Sequence, residues 1–384
     1  AVKHLIALKI LPVNILLSIR MKSNHPKNSK LFPLAFQLCI GTLNGLAVGW
    51  STLRYLHTAN YPSILFALFF LFVAYFLSVA LHESGHCLFG LLSGYRFLSF
   101  RLGNWILLKT ASGFRFGRYN LHGTGGQCLM LPPETNSGDY PYRLYHAGGL
   151  LANLFFLLLT GLLYYWLPLS LFSLFCFYLA AWNAFALLLN GIPMEFEGLA
   201  NDGKNLFSAQ KDPIALQAMR IQLQTIRHLT EGNGFASLPE DFFALPSDAD
   251  LRNPLIGTVA VLHCSNLLAR HSFTQAAQQI QSLLATQSLS SFLSNQLRCE
   301  LLYLQLLQGE NGAAQQSYNA DLKKYLQLYK HSLSAQRLLY TIAILLEKDM
   351  TKAAHALSAF EKIAVSYPYA GELQDERCFL QLAY

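Results

Sequence analysis

Residues 81–90, LHESGHCLFG, place two histidines and a glutamate in the last turns of an apolar run, PSILFALFFLFVAYFLSVAL. His82 and His86 are four residues apart, so on a helix both imidazoles leave one face, one turn apart. Two nitrogen donors so placed suit two neighbouring positions of a tetrahedral zinc ion. Glu83 is offset by one residue, where it can take a proton from water at such an ion rather than bind the metal. Ionisable groups at membrane depth cost roughly 2.5 to 3.5 kcal/mol each on insertion scales, and somewhat less near the interface. Three together need a ligand or partner, and a metal would be one. The plainer alternative is a pair of histidines snorkelling from a helix end.

A catalytic zinc takes three protein ligands and keeps a fourth position open. Between His86 and Glu195 the acids are Glu134 and Asp139, both in a loop. Farther on, LLNGIPMEFEGLANDGKNL offers Asp202 just before Gly203, a residue that lets the backbone turn tightly. The helix ending at His86 and the one ending near Asn190 are expected to reach the same membrane face, which pairs Asp202 with the histidines.

The elements that would position these groups follow from hydropathy. The 384 residues are 53% hydrophobic and 13% charged, values of a polytopic membrane protein rather than a soluble enzyme. No Asp, Glu, Lys or Arg occurs in 31–53, 55–82 or 144–194. As one helix the last stretch would run about 76 Å, more than twice the ~30 Å hydrocarbon core, so it must be two spans broken near Pro168. Four spans are expected, at roughly 31–50, 62–90, 145–167 and 169–191. The apolar piece ILPVNILLSI (10–19) is too short to cross and holds Pro12. Residues 1–30 therefore read as a basic, interfacial segment or a leader, with Met21 as an alternative start.

Lys22, Lys27 and Lys30 precede the first span, and Arg96, Arg101, Lys109, Arg115, Arg118 and Arg143 lie in the 92–144 loop. By the positive-inside rule, the N-terminus, that loop and everything after 191 are cytosolic. The net charge of +7 is largely accounted for in this way, so no nucleic-acid partner is expected. The lipid bilayer is the expected surrounding, and a bacterial cell membrane the expected location. Seven cysteines without a CxxC pair read as reduced, small apolar residues. Within the loop, FRLGNWILL and GFRFGRYN have the alternation and turn residues of short hairpins, and GTGGQCLMLPP follows. So hydrophobic a loop is expected to lie against the membrane or dip into it.

After residue 204 the composition turns to Gln, Ala, Leu and Ser with helical apolar spacing. Ala-Ala pairs begin at 276, 313 and 353, at intervals in the thirties to forty that suggest stacked helix pairs resembling tetratricopeptide repeats. The alternative is an irregular helical domain. The expected fold is thus an α-helical polytopic membrane protein with about four transmembrane helices and a small β-hairpin loop, followed by a cytosolic all-α domain. Its expected parts are an N-terminal segment (1–30), a membrane domain with the candidate metal ligands (31–205), an irregular connector (206–256) and a helical-repeat domain (257–384).

Three stretches together resemble the site-2 protease family of intramembrane zinc metalloproteases. These are HESGH late in a span, AGGLLANLFF (147–156) as a small-residue span with an Asn, and an N-x-x-P then D-G pattern in Asn190, Pro193, Asp202 and Gly203. The resemblance covers about residues 62–205. It implies Zn2+ held by His82, His86 and Asp202, with Glu83 as general base. It also implies that Asn153, the hairpin glycines Gly125 and Gly126, or Asn190 align substrate or stabilise the oxyanion. Eight residues separate Pro193 from Asp202, longer than the family's usual spacing, which leaves Glu195 or Glu197 as alternative ligands. AGG stands where Gly-Pro is commoner, and no inserted peptide-binding module is recognisable. His122 and His146 read as loop and interfacial histidines rather than ligands.

The function expected on this basis is cleavage of a membrane-anchored peptide or regulatory protein near the cytosolic face, by a metalloendopeptidase whose C-terminal helices hold a protein partner. The alternative is a non-proteolytic membrane scaffold or secretion accessory with a vestigial metal site. A transporter is weaker, because the intramembrane acid is the one in the motif.

Overall fold

The computed structural model describes residues 31–57, 63–119, 125–134, 141–196, 199–208 and 212–383. The segment 1–30 lies outside the described residues, as do His122 and Glu197. Four helices are long and apolar enough to cross a membrane: α1 (Leu31–Leu56), α2 (Ser63–Leu92), α3 (Tyr142–Trp166) and α4 (Leu171–Gly191). The expected break at Pro168 has a local cause. Leu167 is extended, as a residue before proline is, and α3 ends there. Ser170 then opens α4 with a reciprocal cap: its hydroxyl accepts from the Ser173 N–H while Ser173 Oγ accepts from the Ser170 N–H.

Beside Leu174, Tyr178 and Leu179, these helices bury many small or polar residues: Ala67, Ala74, Ser78, Gly148, Gly149, Asn153, Thr160, Ser173 and Asn183. What they expose is large and apolar, including Leu38, Leu46, Phe66, Phe69, Phe72, Phe155 and Leu158. This is the inverse of a water-soluble bundle. It suits a lipid solvent, where small residues let helix backbones approach. Gly85 and Gly148 show the approach directly. A Cβ on Gly85 would lie 2.7 Å from Ala152 Cβ, and one on Gly148 would lie 2.9 Å from the Gly85 carbonyl carbon. The middle glycine region of HESGH is therefore where α2 and α3 touch backbone to backbone.

Between α2 and α3 lies a small antiparallel sheet of β1 (Arg96–Leu102), β2 (Trp105–Thr110), β3 (Gly113–Arg118) and β4 (Gly126–Leu131), in the order β3-β2-β1-β4. β1 pairs with β4 from Arg96↔Leu131 to Leu102↔Gly126, and β2 with β3 from Trp105↔Arg118 to Thr110↔Gly113. After α4, two-residue strands β5 (Glu195–Phe196) and β6 (Leu199–Ala200) lead into α5 (Asp202–Ser208).

The chain forms two compact units. Among the described residues, one comprises 31–102 and 125–208; the other comprises 103–119 and 212–383. The β2–β3 hairpin belongs to the second. There its inward residues Ile106 and Leu108 are buried, β2 packs on α6 (Pro213–Thr230), and Tyr119 meets Tyr369 edge-on at 5.9 Å. The rest of the second unit is all helical: α7 (Pro254–Ala269), α8 (Phe273–Ala285), α9 (Ser291–Leu307), α10 (Asn311–Ser317), α11 (Ala320–Leu328), α12 (Leu333–Thr341), α13 (Met350–Ala364) and α14 (Ala370–Gln381). Of the stretch expected as an irregular connector, 213–230 is the helix α6, started by Asp212 as N-cap and Pro213 at N1. The stretch 231–253 holds short 3-10 turns at Phe235–Ser237 and Glu240–Phe243. One member of each predicted Ala pair, Ala276, Ala314 and Ala353, is fully or almost fully buried.

Candidate metal centre

His82 and His86 leave α2 on the face that meets α3, and each ring is fixed from behind. His86 Nδ1 lies 2.8 Å from the Tyr145 carbonyl oxygen, and His82 Nδ1 lies 2.8 Å from Asn153 Oδ1. Both partners are acceptors, so both Nδ1 atoms carry the proton and donate. The Nε2 lone pairs are thereby left facing one another at 3.1 Å. Asp202 Oδ2 completes the group, 3.2 Å from His82 Nε2 and 3.2 Å from His86 Nε2.

Three electron-rich atoms converging in this way repel unless a cation or extra protons lie among them. A tetrahedral zinc with ligand bonds of about 2.0 to 2.1 Å has ligand-to-ligand edges of roughly 3.4 Å, close to the three separations found. The donor set fits the ion. Among the described residues, His82, His86 and Asp202 form a cluster of metal-ligating side chains whose donor atoms all lie within 4.8 Å of one another.

Asp202 is delivered by its neighbour. Asn201 Oδ1 accepts from the Met194 and Lys204 N–H groups, at 3.0 Å each. Its Nδ2 donates to the Leu189 and Ile192 carbonyls at 2.8 and 2.6 Å. One side chain thus closes the end of α4, caps α5 and pins the turn that aims the carboxylate. Gly203 fits beneath, where a Cβ would come 2.7 Å from the Gly191 carbonyl carbon and 3.1 Å from the Asn190 oxygen. Gly149 gives the rings room on the other side, since a Cβ there would stand 2.5 Å from both His82 Cε1 and His86 Nε2.

Glu83 is half-buried beside the triad, and its carboxylate is hydrogen-bonded to the backbone of Cys128 in β4. Gly126 of the same strand lies so close that a Cβ would be 2.7 Å from Glu83 Cγ, and Gly125 faces the Tyr75 hydroxyl. Tyr145 binds β4 from α3 as well, donating from its hydroxyl to the Cys128 carbonyl at 2.8 Å. The strand is thereby tied both to the residue that holds His86 and to the glutamate.

Of the residues singled out in the sequence, His82, His86 and Asp202 come together, with Glu83, Gly126 and Asn153 around them. Asn190 contributes its backbone beneath Gly203. Glu195 lies in β5, paired with Ala200. His146 is buried against Tyr142 and Tyr145 and is not a member of the cluster. Tyr145, Asn201 and Gly149 were not anticipated. Asn201 carried the one usable signal, a strong capping residue directly before the candidate ligand.

No protein-family model matches the chain, and no curated protein or solved structure is significantly similar to it.

Proposed function

We propose that the protein is a zinc-dependent endopeptidase of the site-2 protease kind, cleaving a membrane-anchored peptide or regulatory protein near the cytosolic face of the bilayer. The observation that carries this reading is the convergence of His82 Nε2, His86 Nε2 and Asp202 Oδ2 to within 3.1 to 3.2 Å, late in a membrane-length helix and beside Glu83. A zinc ion supplies Lewis-acid polarisation of a peptide carbonyl and of water. The chain's own residues do the rest. Asn153 and the Tyr145 carbonyl hold the rings so that Nε2 faces the ligand position. Glu83 takes a proton from the attacking water and returns it to the leaving amine. Gly125 and Gly126 are the hairpin glycines nearest that glutamate, and the β1–β4 pair puts extended backbone beside it. A helical substrate must be opened to a strand before its carbonyl is accessible, and pairing with such a strand is one way to hold it open. The second unit, all helical beyond residue 253 and with Ala276, Ala314 and Ala353 buried, suits a short tetratricopeptide-like stack that docks a protein partner.

The test is Glu83→Gln in the full-length protein. The amide keeps the shape and cannot accept the water proton, so cleavage of accumulating membrane peptides should vanish while about one zinc per chain remains bound. Retained cleavage would remove Glu83 from the role of base. Absence of bound zinc in the unaltered protein would remove the reading altogether.

A further inference from the structure

Among the described residues, the β2–β3 hairpin has one face that is largely exposed. The register puts Trp105 opposite Arg118, Leu107 opposite Phe116 and Lys109 opposite Phe114, so these six side chains share one face. Trp105 is 47% exposed, Phe114 64% and Phe116 65%. They are organised rather than scattered. Trp105 stacks on Phe116 at 5.1 Å, Arg118 lies 4.4 Å over the Trp105 ring, and Lys109 lies 4.7 Å over the Phe114 ring. The opposite face, with Ile106 and Leu108, is already buried.

We propose that this outer face binds the anionic headgroup layer of the membrane, with Trp105, Phe114 and Phe116 at the depth of the headgroups and Lys109 and Arg118 on lipid phosphates. Charge selects this occupant: no Asp or Glu occurs between Glu83 and Glu134, so the whole loop is cationic. Side-chain type agrees, because amphipathic aromatics beside Lys and Arg are the groups that settle at a bilayer interface. Reach agrees too. Thirteen steps of chain separate Leu92, the end of the membrane-length helix α2, from Trp105, a tether of at most about 45 Å. The proposal does not depend on the metal site.

The test uses the full-length protein in lipid nanodiscs whose acyl chains carry bromine, a short-range quencher of tryptophan. The emission of Trp105 is obtained as the difference between the wild type and Trp105→Phe. In discs of phosphatidylcholine alone that difference should be unquenched, and with phosphatidylglycerol added it should fall by more than half and recover at high salt. Each cation near an anionic surface is worth about fivefold in affinity, so Lys109→Gln with Arg118→Gln should weaken the contact about 25-fold and remove most of the quenching that phosphatidylglycerol adds. Equal emission of Trp105 in both kinds of disc overturns the proposal. So does quenching that ignores both salt and the double substitution. A Trp105 environment that changes with protein concentration in lipid-free detergent would instead assign the face to a second copy of the chain, and would also overturn it.

Discussion

Asn153 accepts from His82 through Oδ1 at 2.8 Å and turns Nδ2 toward the Asn183 carbonyl at 3.5 Å, and it has no exposed surface. Both ends of its amide are engaged inside the protein, which favours ring positioning over contact with an oxyanion. Loss of the outer hydrogen-bond partner of a ligating histidine typically costs 10- to 100-fold in metal affinity. Asn153→Ala should therefore weaken zinc binding by about that factor in a chelator competition, and Asn153→Asp should restore most of it. Lost cleavage with unchanged zinc affinity would return Asn153 to the oxyanion. At this scale the motif was readable because HESGH encodes its geometry locally, in a spacing of four. Asp202 was readable only as one of three acids. Choosing among them needs the fold of Asn201, whose four hydrogen bonds reach back to the end of α4. The hold on His86 was not readable at all, because it is the backbone carbonyl of Tyr145 and any residue type could provide it.

Among the elements, the four long helices followed from hydropathy and the break at Pro168, whose effect on Leu167 is local. The hairpin strands followed from alternation, but the contact of β2 with the distant helix α6 is carried by no local pattern. The helical unit also hides a polar core. Arg337 of α12 is 1% exposed, donates to Glu300 of α9 at 2.8 and 2.9 Å and to Glu376 of α14 at 2.7 Å, and lies 4.2 Å over the Tyr303 ring. Removing one partner of a buried ion network strands the others, at about 3 to 5 kcal/mol. Arg337→Leu should destabilise this unit by that amount, read as faster hydrogen exchange in α9, α12 and α14, and adding Glu300→Gln and Glu376→Gln should recover part of it. A change below about 1 kcal/mol would mean the network is not holding these helices together. Nearby, burial pushes the Glu372 carboxyl well above its ordinary 4.5; Glu376 and Asp375 push the same way, against the 2.6 Å hydrogen bond donated by Tyr367. A raised acid stabilises the fold while protonated. That stability is full below 4.5 and is lost as pH rises through the folded value. Exchange in α14, corrected for its intrinsic pH dependence, should accelerate from acid toward alkaline pH, and Glu372→Gln should flatten the profile.

On the scale of the whole chain, the division into units does not follow residue order, and this changes what a truncation should do. His82, His86, Asp202, Asn153 and Tyr145 all belong to the unit made from 31–102 and 125–208, so among the described residues no ligand of this cluster and no ring-holding partner lies beyond 208. A chain ending at residue 211 should retain about one zinc per molecule. It should not, however, be a clean membrane domain. The β2–β3 hairpin packs its inner face within the other unit, against α6, and Ile106 and Leu108, each 2% exposed, would be laid open. Fully exposing two such side chains forfeits about 1.5 to 3 kcal/mol each, a loss that lowers the stability of the hairpin. The truncated protein should therefore keep its metal while residues 105–118 lose exchange protection, and Ile106→Thr with Leu108→Thr in that background should reduce its aggregation. If the metal is lost with the C-terminal helices, the site depends on them and the two units are one folding body. If 105–118 stays protected, strand pairing holds the hairpin without α6.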